Sequence, residues 1–267
     1  MNTDNEFYRI NTRDARQLER STFVRQVEHY SMLPSTNSQA LQLATARRLN
    51  LPLLVLADEQ TAGRGRSGNQ WWSAPGALTF SLILERPEST DGASWLRIAL
   101  TTGMAVCEAL HQLCPGVNVA LKWPNDVYVQ GRKICGILVE NPPRTGRRTV
   151  LGVGVNVNNT LDHAPASVRS WATSLAEVAG YPFGLSSVLI EILRQLSAHL
   201  VLLQHDPQLL QQRWDRFCLL AGKTIQLVSG SRKTTGQCLG INAAGALLLR
   251  TGTGITPCFS GEVVQWS

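Results

Sequence analysis

Several things are scarce in these 267 residues, and each scarcity excludes a class. No apolar run approaches the ~18 residues that span a bilayer. The N-terminus, Met1-Asn2-Thr3-Asp4-Asn5-Glu6, is polar and has no apolar signal core. The six cysteines, Cys107, Cys114, Cys135, Cys218, Cys238 and Cys258, include no Cys-x-x-Cys, which argues against a zinc knuckle. Most lie inside apolar segments and read as reduced, buried small hydrophobes, so a cytoplasmic protein is the natural reading. No long internal repeat or low-complexity segment is visible. With 43% apolar residues the chain is globular, and its length allows one large or two modest domains. The net charge of +6 suits an anionic ligand or acidic partner without demanding nucleic acid.

What is present centres on Asp58–Gly68. The apolar run Leu53–Ala57 reads as a buried strand and opens into Gly63-Arg64-Gly65-Arg66-Ser67-Gly68. Glycines let backbone approach a ligand, and the arginines offer fixed forks of donors suited to phosphate or carboxylate. A second arm runs Lys122-Trp123-Pro124-Asn125-Asp126, then Lys133-Ile-Cys-Gly136-Ile-Leu138-Val-Glu140. Gln130-Gly131 turns the chain between Val127–Val129 and Lys133–Glu140, a β-hairpin that aims Lys133 rigidly. A continuous β-branched run, Thr149–Val157, follows as a buried strand ending in Asn156 and Asn158.

These ordered motifs, with Gly152-Val-Gly154-Val-Asn156-Val-Asn158, resemble those of the biotin protein ligases over roughly residues 30–267. The resemblance implies an α/β (α+β) fold: a mixed-sheet biotin/lipoate ligase-like catalytic domain at 29–221, then a small SH3-like β-barrel at 222–267. Short strands at Thr224–Val228, Thr234–Leu239, Ala246–Arg250 and Glu262–Trp266 suit that barrel. Residues 1–28 are too few for a DNA-binding domain, for which about 60 residues are needed. Their apolar stripe is thin, and they are expected to form a solvated N-terminal extension. Helices are expected over Trp95–Leu113, with one buried face, over Ser186–Leu203, and after Asp206-Pro207; Glu85–Ser94 reads as a loop.

The resemblance also implies chemistry. Ser35, Thr36 and Asn37, which double as helix-capping residues, and Gln60 are expected to bind biotin with Arg64, Gly65, Arg66 and Lys133. Arg64, Arg66, Asn156 and Trp214 are the nucleotide-binding candidates; Trp214 either stacks on adenine or belongs to the core. Trp71 and Trp72 either wall the pocket or pack in the core. Arg66, Lys133 and Asp126 are the catalytic candidates. They would offset the repulsion between biotin's carboxylate and the triphosphate as biotinyl-5'-AMP forms. Asp126 orients the lysine or a metal, or helps the target lysine lose its proton. His111 reads as structural or exposed. ATP, biotin and Mg2+ are expected as substrates and metal, with no tightly bound prosthetic group and the metal ligands unassigned. The partner implied is the biotin carboxyl carrier domain of acetyl-CoA carboxylase or a related carboxylase. No nucleic acid and no membrane are expected, and the protein is a monomer or homodimer. The alternatives are a lipoate–protein ligase-like acyl transferase and a biotin-responsive DNA-binding repressor.

Overall fold

The computed structural model describes residues 7–85, 94–143, 145–205 and 207–267. The chain order is α1 (Thr12–Ser21), β1 (Gln26–Leu33), α2 (Thr36–Leu43), β2 (Leu53–Gln60), β3 (Ala77–Glu85) and α3 (Ser94–Leu113). Then come β4 (Val119–Lys122), β5 (Asp126–Val129), β6 (Arg132–Glu140), β7 (Arg148–Asn156), α4 (Ala166–Arg169) and α5 (Leu175–Ala179). The chain ends with α6 (Leu185–His205), α7 (Pro207–Phe217), β8 (Thr224–Ser229), β9 (Arg232–Ile241), β10 (Leu247–Thr251), β11 (Gly254–Cys258) and β12 (Glu262–Trp266).

Strands β1 to β7 form one sheet in the order β1-β2-β3-β7-β6-β5-β4. Only β1 and β2 run parallel; the other pairs are antiparallel, so the sheet is mixed as expected. Its central strands are apolar on both faces because both are covered. One face carries Leu54, Phe80, Leu82, Leu151 and Val153 into the main core with α3 and α6. The other carries Leu53, Val55, Ile83 and Val150 into a smaller cluster with α2. Further along that second face, Trp71 lies against Gly136 of β6 and Gly154 of β7, and Asn37 against Gly152.

Three readings change here. Residues 7–28 are not a solvated arm. Asn11 caps α1 in a reciprocal capping box with Asp14, and Leu18 is fully buried. One stripe of apolar residues suffices because β1 and α6 meet α1 from the core side. Helix α3 is buried nearly all round rather than on one face, since it lies between the sheet and α6. Helix α6 is long and apolar enough over Leu185–Leu203 to cross a membrane by length and composition, against the expectation that no segment approaches that length. Its stripe of Val188, Leu189, Ile192, Leu193 and Leu196 is buried in the main core, where α6 packs on α3. Of the stretch Glu85–Ser94 expected to be a loop, residues 86–93 lie outside the described residues, as does Asp206.

The C-terminal unit is the expected small antiparallel domain, with strand order β11-β10-β9-β8-β12. Its pairing leaves β11 and β12 as edges, so no closed ring of hydrogen bonds is present among the described residues. Strand β11 was not read from the sequence: its pattern is exposed and lacks alternation. The unit is tied to the larger sheet at the β4–β5 turn. The Trp123 indole donates to Gly245 O at 3.1 Å. All six cysteines are free.

Candidate active site

Strands β4 and β5 pair so that Lys122 stands opposite Asp126, which places both on one sheet face. Gln130 and Gly131, both at positive φ (49° and 79°), make the expected two-residue hairpin into β6. A register shift at Val127/Tyr128 then brings Lys133 beside Asp126. The Lys133 ammonium lies 2.6 Å from the Asp126 carboxylate, and both side chains are mostly buried. The Lys133 backbone is clamped from outside. Its N–H donates to Trp171 O at 2.8 Å, and its C=O accepts from Thr173 N–H at 2.9 Å. The Trp171 ring stands 5.5 Å from the Lys133 ammonium.

The Gly/Arg loop closes over this pair. Gly65 N–H donates to Asn69 O at 2.7 Å and Trp71 N–H to Gly63 O at 2.9 Å, so the loop is a small fastened hairpin. Arg66 reaches across to Asn125 Oδ1 at 3.1 Å, and Asn125 is anchored on Ile137 O at 2.7 Å. Burial lowers the Arg66 pKa, with Asp126 and Glu262 opposing that shift. Arg64 behaves differently: it is 2.6 Å from Glu140 and also contacts Ser38.

The slot beyond the loop is a polar network in an apolar wall. Gln60 Oε1 accepts from the Thr36 backbone N–H at 2.7 Å and from its hydroxyl at 3.2 Å. Asn37 donates to Glu140 at 2.9 Å, and its Oδ1 accepts from Ser81 at 2.6 Å. Ser35 caps α2 through Ser38 N–H, as its residue type suggested. The absence of side chains on β7 lets Asn37 and Trp71 pack directly against that strand at the cavity wall. A Cβ on Gly152 would fall 2.0 Å from Asn37 Oδ1, and one on Gly154 would fall 2.4 Å from the Trp71 ring. Trp71 is therefore a wall, and its buried indole N–H has no partner among the described residues.

Together these elements bound a cavity of about 720 Å³ that takes in Asn37, Gln60, Arg64, Gly65, Arg66, Asp126 and Lys133. Ser35 and Thr36 lie just behind it. Two expected nucleotide contacts are not there. Trp214 is fully buried in the main core, so no ring face is free to stack. Asn156 is also buried; it donates to Thr173 O at 3.1 Å and accepts from Asn159 at 3.1 Å, which uses its amide internally. The exposed tryptophan on the cavity is Trp171, 41% accessible. The sequence reading also missed Ser81, and it gave Lys122, Glu140, Glu262 and Trp266 no role. Lys122 and Glu140 stood in quoted motifs and could have been found. Trp171 lies in a loop and Trp266 on a strand far away in sequence, with no local signal.

The chain matches the biotin/lipoate A/B protein ligase family over residues 30–158 and the biotin protein ligase C-terminal domain over 221–266. It is 31% identical to a biotin--[acetyl-CoA-carboxylase] ligase of Paracoccus denitrificans, over 81% of this chain and 90% of that one. It is 30% identical to a bifunctional ligase/repressor of Bacillus subtilis, over 88% of this chain and 72% of that one. Among solved structures, the biotin protein ligase of Aquifex aeolicus in complex with biotin and ATP superposes with a TM-score of 0.78 at 29% identity. That match covers 91% of this chain and 99% of the other.

Proposed function

The chain belongs to the biotin protein ligases of the biotin/lipoate A/B protein ligase family, and from that premise we propose how its residues divide the work of an ATP-dependent biotin–protein ligase. The observation that carries the reading is that Arg66, the Lys133–Asp126 pair, and a wall on which Asn37 and Trp71 pack against Gly152 and Gly154 all line one cavity.

Biotin's ring enters the slot between Trp71 and the Thr36–Asn37–Gln60 network, whose donors and acceptors are fixed before the ligand arrives. Its carboxylate then points at Lys133 and Arg66. The same two cations receive the α-phosphate of ATP, so two anions meet where their charge is neutralised. A carboxylate oxygen attacks the α-phosphorus, the bond to the β-phosphate bridging oxygen breaks, and pyrophosphate leaves. Trp171 offers the ring face for the adenine, in place of Trp214. Asp126 holds Lys133 in position and is next to the acyl carbon when the carrier lysine arrives. That amine attacks the mixed anhydride, loses a proton, and AMP leaves. The Gly/Arg loop, with Arg64 fastened to Glu140, shields the anhydride from water.

Magnesium enters with ATP as part of the substrate. Among the described residues no three His, Cys, Asp or Glu side chains converge on a metal position, and Asp126 and Glu140 are engaged with Lys133 and Arg64. This donor set fits a cation carried in on phosphates with water around it, rather than a dedicated cage. The partner is the biotin carrier domain of a carboxylase, and the place is the cytoplasm, where ATP and that carrier are found.

The test is transfer of labelled biotin to a purified carrier domain with ATP and Mg2+, with lipoate in a parallel reaction. Biotin transfer that falls by about 100-fold or more in Lys133→Ala is the expected result. Transfer of lipoate instead of biotin would reassign the substrate, and transfer of neither would refute the reading.

A further inference from the structure

Lys122 is an anomaly on the pocket wall. It is 9% exposed, yet among the described residues its ammonium has no hydrogen-bond or ion-pair partner. The nearest carboxylate on its own face, Asp126, is taken by Lys133 at 2.6 Å. What holds the ammonium is aromatic. The Trp266 ring lies 4.4 Å away and the Tyr128 ring 6.0 Å away. A buried cation without an anion is costly. Such a group persists where the missing anion is a ligand. Burial lowers the Lys122 pKa, opposed by Asp126 and Glu262, as expected for a cation whose counter-ion is incomplete.

The position says which anion. In the sheet order β7-β6-β5-β4, Lys133 on β6 stands in the middle, between the Gly152/Gly154 wall on β7 and Lys122 on the edge strand β4, and Trp266 and Glu262 of β12 line the cavity as well. On the functional reading above, on which this inference rests, the middle holds the carboxylate and α-phosphate. Resting on that reading, we propose that Lys122 binds the β- and γ-phosphates and stabilises departing pyrophosphate, and that Trp266 is the positioning residue that holds it there. As the bond between the α-phosphorus and its bridging oxygen breaks, the electron pair and negative charge pass to pyrophosphate. The Lys122 ammonium donates a hydrogen bond to that growing charge and keeps its proton. Trp266 touches no reacting atom. It stacks on the ammonium without accepting a strong hydrogen bond, so the cation stays aimed and its donors stay free. The C-terminal sheet thereby contributes to the activation step through one ring on its edge strand.

The experiment compares product inhibition by inorganic pyrophosphate and by AMP in the full chain and in Lys122→Gln, Trp266→Ala and Trp266→Phe. Lys122→Gln is expected to raise the pyrophosphate inhibition constant about tenfold and that of AMP less than twofold. Trp266→Ala reproduces the pyrophosphate effect, Trp266→Phe restores most of it, and the Lys122→Gln/Trp266→Ala double variant is no worse than Lys122→Gln alone. Equal increases for pyrophosphate and AMP, or no increase for either, would overturn the proposal. If Trp266→Ala disturbs folding, Trp266→Phe against Trp266→Leu carries the same comparison, and equal constants for the two would also overturn it. Failure of the unmutated chain to make biotinyl-AMP from biotin and ATP would refute the underlying functional reading instead, so the two failures are told apart.

Discussion

On β7 the odd positions Leu151, Val153 and Val155 enter the main core, while the even positions Gly152 and Gly154 face Asn37 and Trp71. Both faces are buried, but for opposite reasons. The core face is filled by branched side chains and governed by volume. The site face is governed by what is missing, because a single Cβ at Gly154 would strike the Trp71 ring at 2.4 Å. The same strand therefore supplies stability from one side and, from the other, a close seat for the Asn37 and Trp71 side chains that wall the cavity. Substitutions on its two faces should separate stability from activity.

The largest expected effect is on the core side. Leu151→Ala deletes a fully buried side chain and should cost about 3 kcal/mol by denaturant unfolding, with the KM for biotin changing less than twofold. A large change in biotin KM would break the distinction between the faces. Next, on the site side, Gly154→Ala should lower kcat/KM for biotin about 100-fold through displacement of Trp71, equivalent to about 2.7 kcal/mol. Its melting temperature should stay within a few degrees. An enzyme still fully active would mean that the slot is not where biotin sits.

The two tryptophans sharpen the comparison further. Trp171→Ala should raise the KM for ATP about tenfold, since it removes a stacking face worth about 1–3 kcal/mol. Trp214→Phe, in the core, should leave that KM within twofold and reduce stability. The smallest effect concerns Lys122. Burial lowers its pKa, so the unfolded chain binds its proton more tightly. Its charge thus costs stability at neutral pH, and the cost is relieved as pH rises through the folded pKa toward the ordinary value of 10.5. The groups facing it are Asp126, Lys133, Tyr128 and Glu262. Lys122→Met should stabilise the ligand-free protein by about 1 kcal/mol at pH 7, or about 2–4 °C. That gain should shrink on titration toward pH 10, and a gain that grew with pH would contradict the sign of the shift.

How far the sequence could be read follows the range of the interactions. The β5–β6 hairpin was legible because Gln130-Gly131 and the strands beside it are local. Helix α6 was legible in its 3.6-residue period, although not its length relative to a bilayer. The N-terminal helix was underestimated because Leu18 is a single deep anchor in a polar segment, and its burial depends on β1 and α6. Trp171 and Trp214 are alike as residues, and only packing decides that one ring faces the cavity while the other fills the core. Asn156 ends a strand at the site, yet its amide is satisfied by Thr173 and Asn159.

The mixed-sheet domain and the grouping of Arg66, Asp126 and Lys133 were expected from the resemblance to the biotin protein ligases; by itself the sequence determined the strand that opens into the Gly/Arg loop, the hairpin that carries Lys133, and the short strands of the small β domain. These are short-range patterns in which residue type and spacing nearly force the geometry. Only the tertiary structure decided that Arg64 pairs with Glu140, that Ser81 joins the slot network, that Trp171 replaces Trp214 at the cavity, and that Trp266 stacks on Lys122. Each of these joins residues distant in the chain, and such contacts exist only once the sheets and loops have packed.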